Sequence, residues 1–166
     1  IEDGADVVVL CDRAVGPDRW RTALERLQST VRVLIEDTAG GPNAVASSLE
    51  RIERLWEALD GVGTPFGCCL DTCHLHAAGE PLVAGTERLL AVVGRIDLVH
   101  LNDSKDAAGS GRDRHENLGS GCIAPEALLE VLRLADAPTV VETPGGASAQ
   151  AADLAWVRTR LAATAP

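Results

Sequence analysis

Five short, mostly apolar runs recur along this chain, and each is followed by a longer stretch in which apolar residues return every three or four positions. This alternation admits few folds. Continuous apolar runs suit strands covered on both faces, and strands alternating with amphipathic helices build βα units around a parallel sheet. The spacing predicts strands over 5–11, 31–36, 67–71, 98–101 and 139–142. Helices are predicted over 17–29, 43–59, 81–93, 125–134 and 149–161, with Pro17, Pro81 and Pro125 in first turns and Gly61 and Gly94 as stops. The stripe Leu49, Ile52, Leu55, Trp56 and Leu59 reads as packing onto the sheet. The long polar connection over 102–122 is expected to be functional or mobile, with Gly109-Ser110-Gly111 and Gly119-Ser120-Gly121 as hinges.

With 166 residues, 46% of them hydrophobic, the chain has the material for one core, and residues 1–166 are read as a single domain. A net charge of −10 excludes a nucleic-acid partner held by general surface basicity, unless bound cations supply positive charge locally. No apolar run approaches the roughly 20 residues of a membrane span, and no secretory leader opens the sequence. Five cysteines, an odd number, read as reduced thiols. A cytoplasmic protein without a membrane partner is the expectation.

Metal-binding side chains gather at strand ends. Glu36, Asp71 and Glu142 close three of the strands and His100 lies in a fourth. In parallel α/β folds these ends share one face, where distant residues converge. His74 follows Asp71 by three residues, and Asp113 and His115 fall on one side of an extended segment. Taken singly, each has a plainer explanation. Asp71 and Glu36 suit helix caps, His100 suits a core histidine, and His76, lacking an acidic neighbour, suits the surface. Cys68, Cys69 and Cys122 are read as core or incidental, and Cys73 as a neighbour of a ligand, because no second cysteine pair completes a structural zinc spacing. Asn102-Asp103-Ser104 matches a glycosylation sequon, of little weight without a secretory leader. The argument for a metal rests on seven positions together, a mixed carboxylate and imidazole set that suits zinc or manganese.

Four segments, Ile35-Glu36-Asp37-Thr38-Ala39-Gly40, Leu70-Asp71-Thr72-Cys73-His74, Val99-His100-Leu101-Asn102-Asp103-Ser104-Lys105 and Arg112-Asp113-Arg114-His115-Glu116-Asn117-Leu118-Gly119, carry a family likeness. In order and spacing they closely resemble the signatures of endonuclease IV, zinc-dependent apurinic/apyrimidinic endonucleases built on a TIM barrel. The resemblance implies a partial TIM (β/α)8 barrel, about five parallel βα units of eight, matching the family's last five. It also implies a three-zinc site. Glu36 would bridge two zincs, Asp71, His100 and Glu142 would complete one, and His74, Asp113 and His115 would form another. Glu36 and Glu142 are the implied catalytic residues, and metal-assisted hydrolysis of the phosphodiester 5′ to an abasic deoxyribose, leaving a 3′-hydroxyl, is the implied reaction. The implied partner is double-stranded DNA with abasic sites. Lys105, Arg112 and Arg114, on adjoining loops, are read as grips on its backbone, and divalent ions would reverse the charge of a floor with four carboxylates.

The sequence also departs from the family. Val8-Val9-Leu10-Cys11-Asp12 lies where a further histidine ligand is expected, so two of the three zinc sites are expected here, and Asp37 stands where the family usually has Asn. Five strands cannot close a barrel, which makes self-association through sheet edges an expectation. Two other readings stay open at this level. One is a metal- and DNA-binding segment without catalysis; the other is a sugar isomerase or epimerase of the xylose-isomerase-like superfamily, although a single metal centre does not need His74, Asp113 and His115.

Overall fold

The computed structural model describes residues 7–10, 16–27, 29–41 and 44–163. The first elements are β1 (Val7–Leu10), α1 (Pro17–Leu27), β2 (Arg32–Glu36) and α2 (Leu49–Leu59). They lead into β3 (Phe66–Asp71), a short α3 (Thr72–Ala77), α4 (Leu82–Val93) and β4 (Leu98–His100). Two two-residue strands, β5 (Asp103–Ser104) and β6 (His115–Glu116), precede α5 (Pro125–Ala135), β7 (Thr139–Val140) and α6 (Gly146–Ala163).

Strands β1, β2, β3, β4 and β7 form one sheet in that order, and every neighbouring pair is parallel. Spatial order follows chain order without reversal, so the sheet has no switch point of the doubly wound kind and is wound like the wall of a barrel. The register sets Glu36 opposite Cys69 and Asp71 opposite His100. β3 and β4 therefore end level, β2 ends two residues short of β3, and the last side chains of all three meet at one rim.

Two apolar clusters hold helices to strands. Ile52, Leu70, Leu89, Val99, Leu128 and Val131 belong to the larger, and Trp20, Leu24, Val33, Ile35, Leu55 and Leu59 to the smaller. Each fully buried leucine contributes about 1.5–3 kcal/mol relative to exposure. The expected stripe of α2 is inward, but the helix starts at Leu49 because Ser48 is extended and its side chain accepts from Arg51 N. Among the described residues, no helix is long and apolar enough to cross a membrane.

Several boundaries differ from those expected. The first strand covers Val7–Leu10, its expected ends at 5, 6 and 11 lying outside the described residues. His100 is the last residue of β4, and β7 stops at Val140, leaving Glu142 two residues beyond it. The largest correction concerns the connection over 102–122, which is built rather than loose. Asp103 is fully buried and accepts four backbone N–H groups, from Ser104, Gly119, Gly121 and Ile123, at 2.8–3.0 Å. A Cβ at Gly121 would collide with the Asp103 carboxylate, so this glycine is there for close approach. Gly109 N and Gly111 N donate to the carbonyls of His76 and Ala77, at 3.0 and 2.9 Å, so neither glycine segment is a free hinge.

Candidate metal centre

Asp71 ends β3 and caps α3, which follows with no intervening loop. Its Oδ1 accepts from Cys73 N at 2.7 Å and His74 N at 3.0 Å. The cap reading thus holds, and it leaves Oδ2 facing the rim, 3.5 Å from His115 Nε2, where the ligand reading needs it. The same turn of helix carries His74 round to that rim. The β5–β6 pair sets Asp103 opposite Glu116 and Ser104 opposite His115, which folds Asp113 and His115 back over the strand ends. All seven residues of the expected ligand set come together.

Pairwise contacts divide them into two adjoining groups, while Asp71, His74 and His115 also converge across the division. In the first, ligand atoms of Glu36, Asp71, His100 and Glu142 lie within 4.8 Å of one another. His100 Nδ1 is 2.8 Å from Glu36 Oε1 and 3.3 Å from Glu142 Oε2. In the second, His74 Nε2 is 3.3 Å and His115 Nε2 is 3.1 Å from the carboxylate oxygens of Asp113. Glu36 reaches towards both, with Oε1 3.6 Å from His74 Nδ1, and Asp71 Oδ2 is 3.5 Å from His115 Nε2. Glu36, Asp71, His74 and His100 are buried, whereas Asp113 and Glu142 are about half exposed and form the mouth.

The donor set fits divalent cations. Gathering buried carboxylates without compensating charge is costly. Without cations, the His74 imidazole supplies part of that charge. Burial opposes the His74 cation, but Asp113, Asp71 and Asp37 outweigh it and raise the pKa to about 10. For His100, burial likewise opposes the cation, and Glu36, Glu142 and Asp71 raise the pKa overall. His115 Nε2 is buried and has no hydrogen-bond partner among the described residues, although two carboxylates lie nearby. The other ring nitrogen of His74 lies 2.9 Å from the Asp37 carbonyl; donation there leaves Nε2 as the ligating atom, the arrangement usual for metal-bound histidine.

Around the ligands lies a second tier that spacing alone did not single out. Asp37 is buried, its Oδ1 accepts from Asp71 N at 2.6 Å, and its Oδ2 has no hydrogen-bond partner among the described residues. Burial, aided by the charge of Asp71 and resisted by His74, pushes its pKa up to about 8. Asp153 of α6 binds Thr143 Oγ1, Asn117 Nδ2 and Leu118 N, tying the segments that follow Glu142 and His115. Asn102 contacts two ligand residues. Cys69 Sγ lies within 4.8 Å of Glu36 and His100, and Cys73 Sγ within 4.8 Å of Asp113 and His115, so both thiols border the site. Cys69 lies opposite Glu36 in the sheet, and Cys73 follows Asp71 by two residues in α3.

Other expectations fare variously. Cys68 and Cys69 are core, but Cys122 is exposed. His76 is half-buried rather than at the surface, its Nε2 3.0 Å from the Asp106 carbonyl. Lys105, Arg112 and Arg114 are exposed beside the mouth. Asp106 pairs with both arginines, through Arg114 Nε at 2.6 Å and Arg112 at 3.5 Å. The side chains of 7–12 lie outside the described residues, so the position of the further histidine ligand does as well.

The model of the xylose isomerase-like TIM barrel family matches residues 6–160. The chain belongs to this family. Within it, the chain is similar to probable endonuclease 4 of Mycobacterium ulcerans, at 53% identity over 146 residues, which is 88% of this chain and 56% of that protein. The corresponding Mycobacterium tuberculosis protein is 50% identical over 145 residues, with 87% and 56% covered. The chain therefore spans about half the length of the curated relatives it matches. The crystal structure of endonuclease IV from Thermus thermophilus superposes with a TM-score of 0.80 at 34% identity, covering 96% of this chain and 62% of that one. A D-tagatose 3-epimerase-like protein superposes with a TM-score of 0.75 at 16% identity, a likeness of fold alone, covering 94% of this chain and 62% of that one. The expected resemblance to endonuclease IV and the partial barrel are both borne out.

Proposed function

We propose that this chain carries the larger part of the metal centre of a zinc-dependent endonuclease, acting in the cytoplasm on DNA with abasic sites and incising 5′ to the lesion to leave a 3′-hydroxyl. One observation carries the reading: two adjoining ligand groups, Glu36–Asp71–His100–Glu142 and His74–Asp113–His115, share one rim within motifs that resemble endonuclease IV. A single-metal sugar isomerase needs only the first group, so the second favours phosphodiester chemistry. Zinc held in these groups would supply Lewis acidity towards a phosphodiester, and manganese suits the same donors.

The chain's own residues prepare the ground for it. Glu36, at the floor between the groups, ties them electrostatically, while half-exposed Asp113 and Glu142 leave the mouth open to a backbone phosphate. Glu36 and Glu142 are the proposed catalytic carboxylates. Lys105, Arg112 and Arg114 would meet flanking phosphates, with Asp106 holding the two arginines until DNA competes for them. The uncovered strand β7, whose Val140 is 43% exposed, supports association with further chain along that edge.

The test is a duplex with one abasic site, incubated with the chain and zinc, against a Glu142→Gln variant. Metal-dependent incision 5′ to the site, absent from the variant, is expected. Zinc bound without incision would replace the enzyme reading by that of a non-catalytic metal- and DNA-binding segment. Neither binding nor incision would end both.

A further inference from the structure

Asn102 is the second residue past His100 and is fully buried, so the sequon it heads is closed to modification. Its Nδ2 donates to Asp71 Oδ2 at 2.7 Å, and its Oδ1 accepts from Glu142 N at 2.9 Å. A carboxylate cannot donate and a backbone N–H cannot accept, so only one orientation of the amide satisfies both. Its own backbone is fixed as well. Asn102 N donates to Thr72 Oγ1 at 2.8 Å, and that hydroxyl donates to the Asn102 carbonyl at 2.6 Å.

The lone pairs of Asp71 give this arrangement its chemical meaning. Oδ1 already accepts two N–H groups of α3, and Oδ2 accepts one from Asn102. With about four acceptor positions on a carboxylate, one direction remains, on Oδ2. We propose that Asn102 is a positioning residue that restricts Asp71 to one-oxygen ligation through Oδ2 and holds Glu142 at the matching distance, so that the Glu36–Asp71–His100–Glu142 group is set before a cation arrives. The proposal deepens the metal-centre reading and rests on it. The end of β3 and the residues beyond β7 are joined through one amide, a tie that neither strand register nor the helix cap supplies.

The test is zinc titration of the full chain against a chromophoric chelator, with Glu142→Gln marking which step belongs to the four-residue group. Asn102→Ala is expected to weaken that step about 10- to 100-fold, the usual cost of losing an outer partner of a metal ligand. The step belonging to His74, Asp113 and His115 is expected to stay within about threefold of the parent on the same ground. Loss of both steps in parallel would make Asn102 merely structural and overturn the proposal, as would an unchanged first step. Thr72→Val, which frees the Asn102 backbone and otherwise gives up only a 3.4 Å contact with the His100 carbonyl, decides the matter if Asn102→Ala does not fold. Selective weakening restored by Thr72→Ser supports positioning, and parental affinity in Thr72→Val refutes it. A parent chain that binds no zinc would overturn the metal reading together with the proposal, whereas zinc binding indifferent to these substitutions would overturn the proposal alone.

Discussion

Asp37 offers a quantitative test of how the site is charged. Its pKa of about 8 in the folded chain, against 3.8 for the ordinary side chain, means that it is buried as the neutral acid near pH 7. Between those two values the unfolded chain has released a proton that the folded chain retains. Wild-type stability is therefore lost as pH rises through this window, with no further loss from this group above about 8. Asp37→Asn replaces the neutral acid by a neutral isostere. The amide oxygen can still accept from Asp71 N, and its nitrogen replaces an Oδ2 that lacks a partner among the described residues. At about 1.4 kcal/mol per pKa unit, the ceiling on the gain at high pH is about 6 kcal/mol. Relaxation and water entry reduce such burial penalties, leaving an expected gain of about 2–3 kcal/mol. Urea unfolding of both proteins in chelator, from pH 4.5 to 8.5, measures it. The stability difference in favour of Asn should widen through the window and then level off. A difference independent of pH would refute the argument that a buried, proton-retaining acid stands beside the ligands.

Other expectations follow from the same geometry. Asp103→Ala leaves four backbone N–H groups without their acceptor, two of them in buried residues, and is expected to cost at least about 3 kcal/mol in denaturant unfolding; a cost below about 1 kcal/mol would contradict the role given to Asp103. Because the His74 pKa is raised to about 10, zinc binding to its group at neutral pH should expel about one proton, and the raised pKa of His100 adds to proton release at the other group. Calorimetry in buffers of different ionisation enthalpy reads this directly, and buffer-independent heats would refute it. Arg114→Ala should weaken binding to duplexes of any sequence and lower the slope of log affinity against log salt by about 1, measured by fluorescence anisotropy. An unchanged slope would remove Arg114 from the DNA surface.

The parallel units could be read from the sequence because period and punctuation agreed in each: apolar runs for strands, one-sided stripes for helices, proline and glycine at their ends. The convergence of the candidate ligands could be read because strand ends of a parallel sheet share a face, a rule of topology that needs no distances. Helix α3 escaped because six residues are too few to display a period, and it begins where β3 stops, on the Asp71 cap. The glycine segments within 102–122 were misread as hinges because glycines at hinges and glycines at close approaches look alike in sequence. What separates them is the Asp103 carboxylate, whose four donors come from as far as 20 positions away. Asn102 escaped for a similar reason, since a neutral amide declares its role only through the two groups it joins.

Anomalous diffraction at the zinc edge, from crystals of the chain equilibrated with zinc, tests the metal centre most directly. Two zinc positions are expected, one among Glu36, Asp71, His100 and Glu142 and one among His74, Asp113 and His115. Zinc absent from both groups, or bound elsewhere with the seven side chains undisturbed, would contradict the account.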